Sequence, residues 1–222
     1  MLEKKVAAEK AMTLVQDGMT LGLGTGSTAY FFLEELGKAI NDGLKIKGLA
    51  TSTATEKTAA KFNIPLISLD EVQKLDLTID GADEIDPRLQ LIKGGGGALF
   101  REKIIAGISD RVVIIADSSK YHSNLGHFPL PVEVVPFSWK VSCAGISEMG
   151  TEPVLRMENQ TPFTTDNGNY ILDCQFDSIQ EPSELHQQLK MVPGVVETGL
   201  FVDMANQVIL GAADGSTQVF YK

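Results

Sequence analysis

The chain reads as an α/β protein, an open, mostly parallel sheet with helices on both faces (Rossmann-like), carrying in addition a smaller α+β ferredoxin-like domain. Strand-length and helix-length apolar periods alternate through the first half, which implies parallel strands with helical crossovers. Four of those strands end in turns rich in glycine, hydroxyls or carboxylates. After Pro131 the order becomes strand, helix, strand, strand, helix, strand, the split βαβ unit. The expected domains are 1–130 with 201–222, an α/β catalytic domain, and 131–200, the ferredoxin-like one.

Residues 3–16 place Ala7, Ala11, Leu14 and Val15 on one helical face. Residues 19–23 form a short strand that runs into a glycine loop. Ala29, Phe32, Leu33, Leu36 and Ile40 then recur at helical spacing until Asn41, Asp42 and Gly43 close the helix. Residues 46–50 are the next strand. Thr53 with Glu56 makes a capping-box pattern for a helix ending near Asn63, before Pro65. Strands follow at 66–67, 75–79 and 112–116, with a helix over 98–107 between the last two. Further on, 132–135 is a strand and 139–149 a helix. Strands 154–157 and 170–176 are joined across the turn signal Thr165, Asp166, Asn167, Gly168. Residues 182–190 are a helix with proline in its first turn, and 195–200 a strand. Residues 207–210 and 217–221 read as a hairpin over Asp214 and Gly215, expected to return to the first domain.

Ligands of open α/β sheets bind beyond the carboxyl ends of the strands. Here those ends carry Gly24 to Thr28, then Thr51, Ser52 and Thr53, then Asp80 to Asp83, then Asp117, Ser118, Ser119 and Lys120. One rim of one sheet therefore collects the polar residues. That rim is the candidate active site.

Composition narrows the function. A formal net charge of −10 argues against a nucleic-acid or anionic-membrane partner, either of which needs a basic face. An anionic small molecule remains compatible if a few lysines focus positive potential. Cys143 and Cys174 have neither metal-ligand spacing nor a disulfide framework, which fits a reducing cytosol and small core residues. Charged residues among the first ten exclude a signal-peptide apolar core, so a cytoplasmic protein is expected.

The first loop has glycines at 22, 24 and 26, so the dinucleotide spacing G-x-G-x-x-G fails at Ser27, and no Walker lysine follows. What fits is a single-phosphate cradle of backbone amides with the Ser27 and Thr28 hydroxyls at a helix start; the alternative is a tight turn capped by Ser27. Asp80, Gly81, Ala82, Asp83 and Glu84 suit a solvated turn, or carboxylates that share protons or hold sugar hydroxyls. A divalent-metal site is the weakest reading there, because no histidine or further acid stands in ligand spacing. Lys93 followed by Gly94, Gly95, Gly96 and Gly97 reads as an oxyanion nest rather than a hinge, since ordering four glycines is entropically costly. Glu102 falls early in the next helix, where a surface glutamate stabilised by the helix dipole is the ordinary explanation. His122 and His127 flank a loop and His186 lies in a polar helix, so the three are expected to form no constellation. No Ser-His-Asp or Cys-His pattern points to a hydrolase.

Taken in order, Gly24-Thr-Gly-Ser-Thr28, Asp80-Gly-Ala-Asp-Glu84, Lys93-Gly-Gly-Gly96, Arg101-Glu-Lys-Ile104, Ala116-Asp-Ser-Ser-Lys120 and Phe128-Pro-Leu-Pro-Val-Glu-Val134 resemble ribose-5-phosphate isomerase type A. The likeness runs nearly end to end and includes Thr165 to Asn169 and Pro193 to Glu197. It implies a cofactor-free, metal-free aldose–ketose isomerase that interconverts ribose 5-phosphate and ribulose 5-phosphate in the pentose phosphate pathway, as a homodimer or homotetramer. By position, the resemblance makes Glu102 the base that moves the proton between C1 and C2. Asp80 and Asp83 would bind sugar hydroxyls, one of them assisting ring opening. Lys93 and the amides of Gly94, Gly95 and Gly96 would hold the enediolate oxygens. Thr25, Gly26, Ser27, Thr28, Gly81, Ala82 and Lys120 complete the substrate-binding set, with Lys4 a further candidate phosphate ligand. The stretch 138–149 departs most from the family pattern and bears on assembly.

Two rivals share the fold. A sugar-phosphate-sensing module would be expected to carry a helix-turn-helix, and the chain starts directly in the α/β unit. A coenzyme A transferase, with a glutamate nucleophile, would be expected to need a longer chain with two such halves.

Overall fold

A computed structural model describes residues 1–222. In chain order the elements of the first half are α1 (Leu2–Met12), β1 (Thr20–Leu23), α2 (Ser27–Asn41), β2 (Lys47–Ala50), α3 (Thr53–Lys61), β3 (Leu77–Asp80), β4 (Glu84–Ile85), β5 (Leu91–Ile92), α4 (Leu99–Gly107) and β6 (Val112–Asp117). There follow β7 (Leu130–Val134), α5 (Trp139–Ser147), β8 (Pro153–Leu155), β9 (Met157–Glu158), β10 (Thr161–Pro162) and β11 (Tyr170–Cys174). The last are α6 (Pro182–Lys190), β12 (Val195–Thr198), β13 (Leu200–Phe201), β14 (Gln207–Gly211) and β15 (Thr217–Tyr221). No helix is long and apolar enough to cross a membrane.

Two compact units result. The first comprises 1–82, 101–120 and 203–222, the second 83–100 and 121–202. The segments 83–100, 121–130 and 201–202, expected with the larger domain, group instead with the smaller.

The first unit holds a six-stranded sheet in the order β15-β14-β6-β3-β1-β2. Strands β2, β1, β3, β6 and β14 are all parallel, and only β15 runs antiparallel, paired with β14. Alternation along each strand sends successive side chains to opposite faces. Leu21, Leu23, Leu77, Ile79, Val113, Ile115 and Ile209 pack with Ala7, Ala8 and Ala11 of α1 and Phe32, Leu33 and Leu36 of α2. Leu49 and Leu75 pack instead with Ile105 of α4, so helices cover both faces. The expected first helix is shorter than its apolar period. It ends at Met12, where the Thr13 hydroxyl donates to the Lys10 carbonyl, while Leu14 and Val15 still pack on the core from the following turn. The cap of α3 is Ser52, whose Oγ accepts from Thr55 N–H, not Thr53. The expected strand at 66–67 is only an isolated bridge from Leu66 to Gly48.

The second unit holds a four-stranded antiparallel sheet in the order β12-β7-β11-β8, the arrangement of a split βαβ fold with α5 and α6 as its helices. Its core joins Val132, Val134, Leu172 and Cys174 of the sheet to Ile146 of α5 and Leu189 of α6. A second sheet, β13-β5-β4, has two-residue strands and leaves no mark in the sequence pattern. It carries Glu84 and leads into Lys93.

Candidate active site

At the carboxyl end of the parallel sheet, hydrogen bonds tie the ends of β1, β2 and β3 together, and Lys4 reaches the end of β6. The chain leaving β1 passes so close to β3 that a Cβ on Gly24 would lie 2.5 Å from the Asp80 Cα. Only glycine fits there. The Asp80 carboxylate, 2% exposed, accepts from Thr25 N–H at 3.1 Å and from Gly81 N–H at 2.7 Å through Oδ1. Those donors fix the orientation of the acid. The Thr25 hydroxyl turns the other way, toward Thr51 Oγ1 at 2.7 Å, Ser52 Oγ at 2.8 Å and Thr55 Oγ1 at 3.0 Å, joining β1 to β2. Lys4 of α1 donates to Ser27 Oγ at 2.8 Å and stands 4.0 Å from Asp117 Oδ2 at the end of β6. Lys120 lies in the single turn that follows Asp117.

Gly26, at φ +108°, is the N-cap of α2 and supplies no side-chain cap, so Ser27 is not the cap. The first N–H groups of a helix have no partner within it. On the 15-residue α2 they belong to the turn that opens at Ser27, with the helix dipole behind them and the Lys4 ammonium beside Ser27. An open cavity of about 510 Å³ borders this turn, lined by Lys4, Gly24, Thr25, Gly26, Ser27 and Thr55 among others. Glu102 sits in the first turn of α4, only 5% exposed, so it is not the surface glutamate of the ordinary explanation.

The smaller unit carries Asp83 and the Lys93–Gly97 loop. Asp83 Oδ2 accepts from Gly95 N–H at 2.7 Å, and a Cβ on Gly95 would lie 2.6 Å from Asp83 Oδ1. Lys93 is 3% exposed; its main-chain N–H donates to the Gly199 carbonyl, and its ammonium lies 5.4 Å from the Phe201 ring centroid. The glycine run is an ordered turn, closed by a bond from Gly97 N–H to the Gly94 carbonyl at 2.9 Å.

Glycine-loop, acidic-turn and lysine motifs thus stand on ordered backbone, with Asp80 and Lys93 buried and Gly26, Ser27, Gly95 and Gly96 exposed. A model of the family described as ribose 5-phosphate isomerase A (phosphoriboisomerase A) matches residues 47–215. The chain belongs to the ribose 5-phosphate isomerase A family. Ribose-5-phosphate isomerase A of Bacillus mycoides is 54% identical over 213 residues, spanning 96% of each chain. A solved ribose 5-phosphate isomerase A from Methanocaldococcus jannaschii superposes with a TM-score of 0.93 at 41% identity, covering 100% of this chain and 98% of that one. A D-ribose-5-phosphate isomerase solved in complex with phospho-erythronic acid superposes with a TM-score of 0.96 at 38% identity, covering 99% and 97%.

Sequence reasoning misses the residues that brace the glycine run. Arg156 Nη1 donates to the carbonyls of Gly94 at 2.9 Å and Gly95 at 3.1 Å, its Nε pairs with Asp173 Oδ2 at 2.9 Å, and Phe163 lies against its guanidinium and against Gly97. Holding the carbonyls on one side aims amides to the other. A lone arginine between two short strands carries no motif. The expectation about the histidines is corrected. His122 and His127 stack with ring centroids 4.4 Å apart, and both come within 4.8 Å of the Glu84 carboxylate, because the intervening loop folds back over β4. Cys174 is a core residue, as expected, and burial pushes its thiol well up.

Proposed function

We propose the following division of labour for the interconversion of D-ribose 5-phosphate and D-ribulose 5-phosphate, the aldose–ketose isomerisation of the family. Glu102 takes the proton from C2 of the open-chain aldose, leaving an enediolate, and returns it to C1 to give the ketose. The hydroxyl proton passes from O2 to O1 in the same stage. Negative charge develops on the two oxygens only in the transition state and intermediate. We assign the Lys93 ammonium and the amides of Gly94 and Gly96 to that charge, while the expected third donor, Gly95 N–H, is engaged by Asp83 Oδ2. Asp80 and Asp83, each already held by backbone amides, orient sugar hydroxyls, and one of them assists ring opening. Gly26, Ser27 and Thr28 bind the phosphate at the start of α2 with Lys4, and Gly81, Ala82 and Lys120 complete the contacts. The chemistry requires no cofactor and no metal.

The observation that carries this reading is the buried Glu102 on the first turn of the helix that the Lys93–Gly97 loop feeds, in a chain of this family. Burial keeps the Glu102 carboxylate fixed by packing and out of bulk water, as a positioned general base requires. Incubating the protein with ribose 5-phosphate and following ketose formation tests it. No turnover would reject the isomerase, as expected of a sensing module. We place the enzyme in the cytoplasm, without nucleic-acid or membrane partners, as a homodimer or homotetramer. The strongly exposed Phe137 and Val141 support self-association, and light-scattering mass decides it.

A further inference from the structure

We propose that Glu84, His122 and His127 form a binding site for a divalent transition-metal ion of the zinc class, separate from the isomerase residues. One carboxylate oxygen and one nitrogen of each imidazole lie within 4.8 Å of one another. Ligand atoms around tetrahedral zinc sit about 2.0–2.2 Å from the ion, hence roughly 3.3 Å apart, so small side-chain rotations close the set. Three protein ligands leave the fourth position to water.

The placement is built rather than accidental. Glu84 is fully buried in β4, and its carboxylate accepts from the main-chain N–H groups of Gly126 at 3.1 Å, His127 at 3.2 Å and Phe128 at 3.1 Å. Those bonds orient it, the role that outer hydrogen bonds play for metal-ligating carboxylates. Two of the three fall on Oε2, and Oε1 takes one, so Oε1 retains a lone pair for an ion. His122 is fixed by its own N–H to the Ile85 carbonyl at 2.9 Å, the residue next to Glu84. The backbones of both histidines are therefore pinned to the strand that bears the carboxylate. Between them Gly126 makes the turn at φ +120°, where a Cβ would lie 3.1 Å from the Phe176 carbonyl oxygen. His127 is exposed and His122 half-buried, which gives an ion a way in. Two imidazoles and one carboxylate suit zinc, with nickel and copper as competitors, and disfavour calcium and magnesium, which take oxygen ligands. Bound there, the ion would clip the 121–128 loop to β4.

The test is calorimetric titration of zinc chloride into the full-length protein after chelator treatment and dialysis, a readout independent of isomerase activity. One equivalent should bind. His127→Ala, at an exposed position that leaves the core intact, and His122→Ala should each weaken binding at least tenfold. His186→Ala should bind like the parent; that residue lies 3.9 Å from Glu197 and is the alternative weak site. Absence of stoichiometric binding, or unchanged binding in His127→Ala, would overturn the proposal. Loss of binding in His186→Ala with the other two unchanged would move the site to α6 and overturn it equally.

Discussion

Gly95→Ala tests the pairing of the glycine nest with the acidic turn. Gly95 does not have a positive φ, so alanine meets no backbone strain. The whole cost lies in the new methyl, which would stand 2.6 Å from Asp83 Oδ1 and 3.0 Å from its Cγ. The carboxylate cannot retreat from it and keep the 2.7 Å bond from Gly95 N–H. A hydrogen bond to a charged acceptor contributes about 1.5–3 kcal/mol. If Asp83 orients the sugar through that bond, kcat/KM should fall about 10- to 150-fold, at roughly 1.4 kcal/mol per decade. The same bond is lost from the folded protein, so unfolding free energy should fall by no more than about 1.5–3 kcal/mol, and the variant should remain folded. Initial rates of ketose formation over a range of ribose 5-phosphate, with thermal unfolding alongside, measure both quantities. Unchanged kcat/KM in a folded variant would refute the reasoning, because the carboxylate would then have moved without consequence.

Lys93→Ala should lower kcat far more than it raises KM, by about 3–4 kcal/mol in the barrier, since enediolate charge is absent from the ground state. Ser27→Ala should chiefly raise KM, the phosphate being equally charged throughout; a KM-only defect in both variants would make Lys93 a phosphate ligand. EDTA should leave kcat unchanged, and loss of activity restored by one divalent ion would recast Asp80 and Asp83 as ligands. Cys174 should resist thiol reagents at neutral pH until the protein unfolds, because burial raises its pKa above the ordinary 9.0. The sign follows: the unfolded thiol ionises first, so its contribution to stability holds below about pH 9 and declines above it, a slope that Cys174→Ala should reduce.

What the sequence made legible was periodic or clustered. Strands β1, β2, β3 and β6 end in polar turns, and parallel pairing places all four ends at one edge, where Thr25 bonds to Asp80 and Thr51, and Lys4 stands beside Asp117. The split βαβ order likewise follows from local patterns. Illegible features depend on long-range geometry. Strands β4, β5 and β13 are too short to show alternation. Ser52 and Thr53 both suit a cap, and only the backbone decides between them. Arg156 reaches Gly94 across 62 residues of chain, and no spacing rule connects the two. The histidine pair depends on the Gly126 turn and the Glu84 anchor, which a linear pattern does not reveal.

The central claim is that Glu102 moves the proton. Glu102→Gln, nearly isosteric, is incubated with ribose 5-phosphate in deuterium oxide, and exchange at C2 of the aldose is followed by NMR. Expected is retained substrate binding with exchange slowed about 10²–10⁴-fold, the value of a positioned general base. Exchange at the parent rate would contradict the assignment and give the proton transfer to another residue.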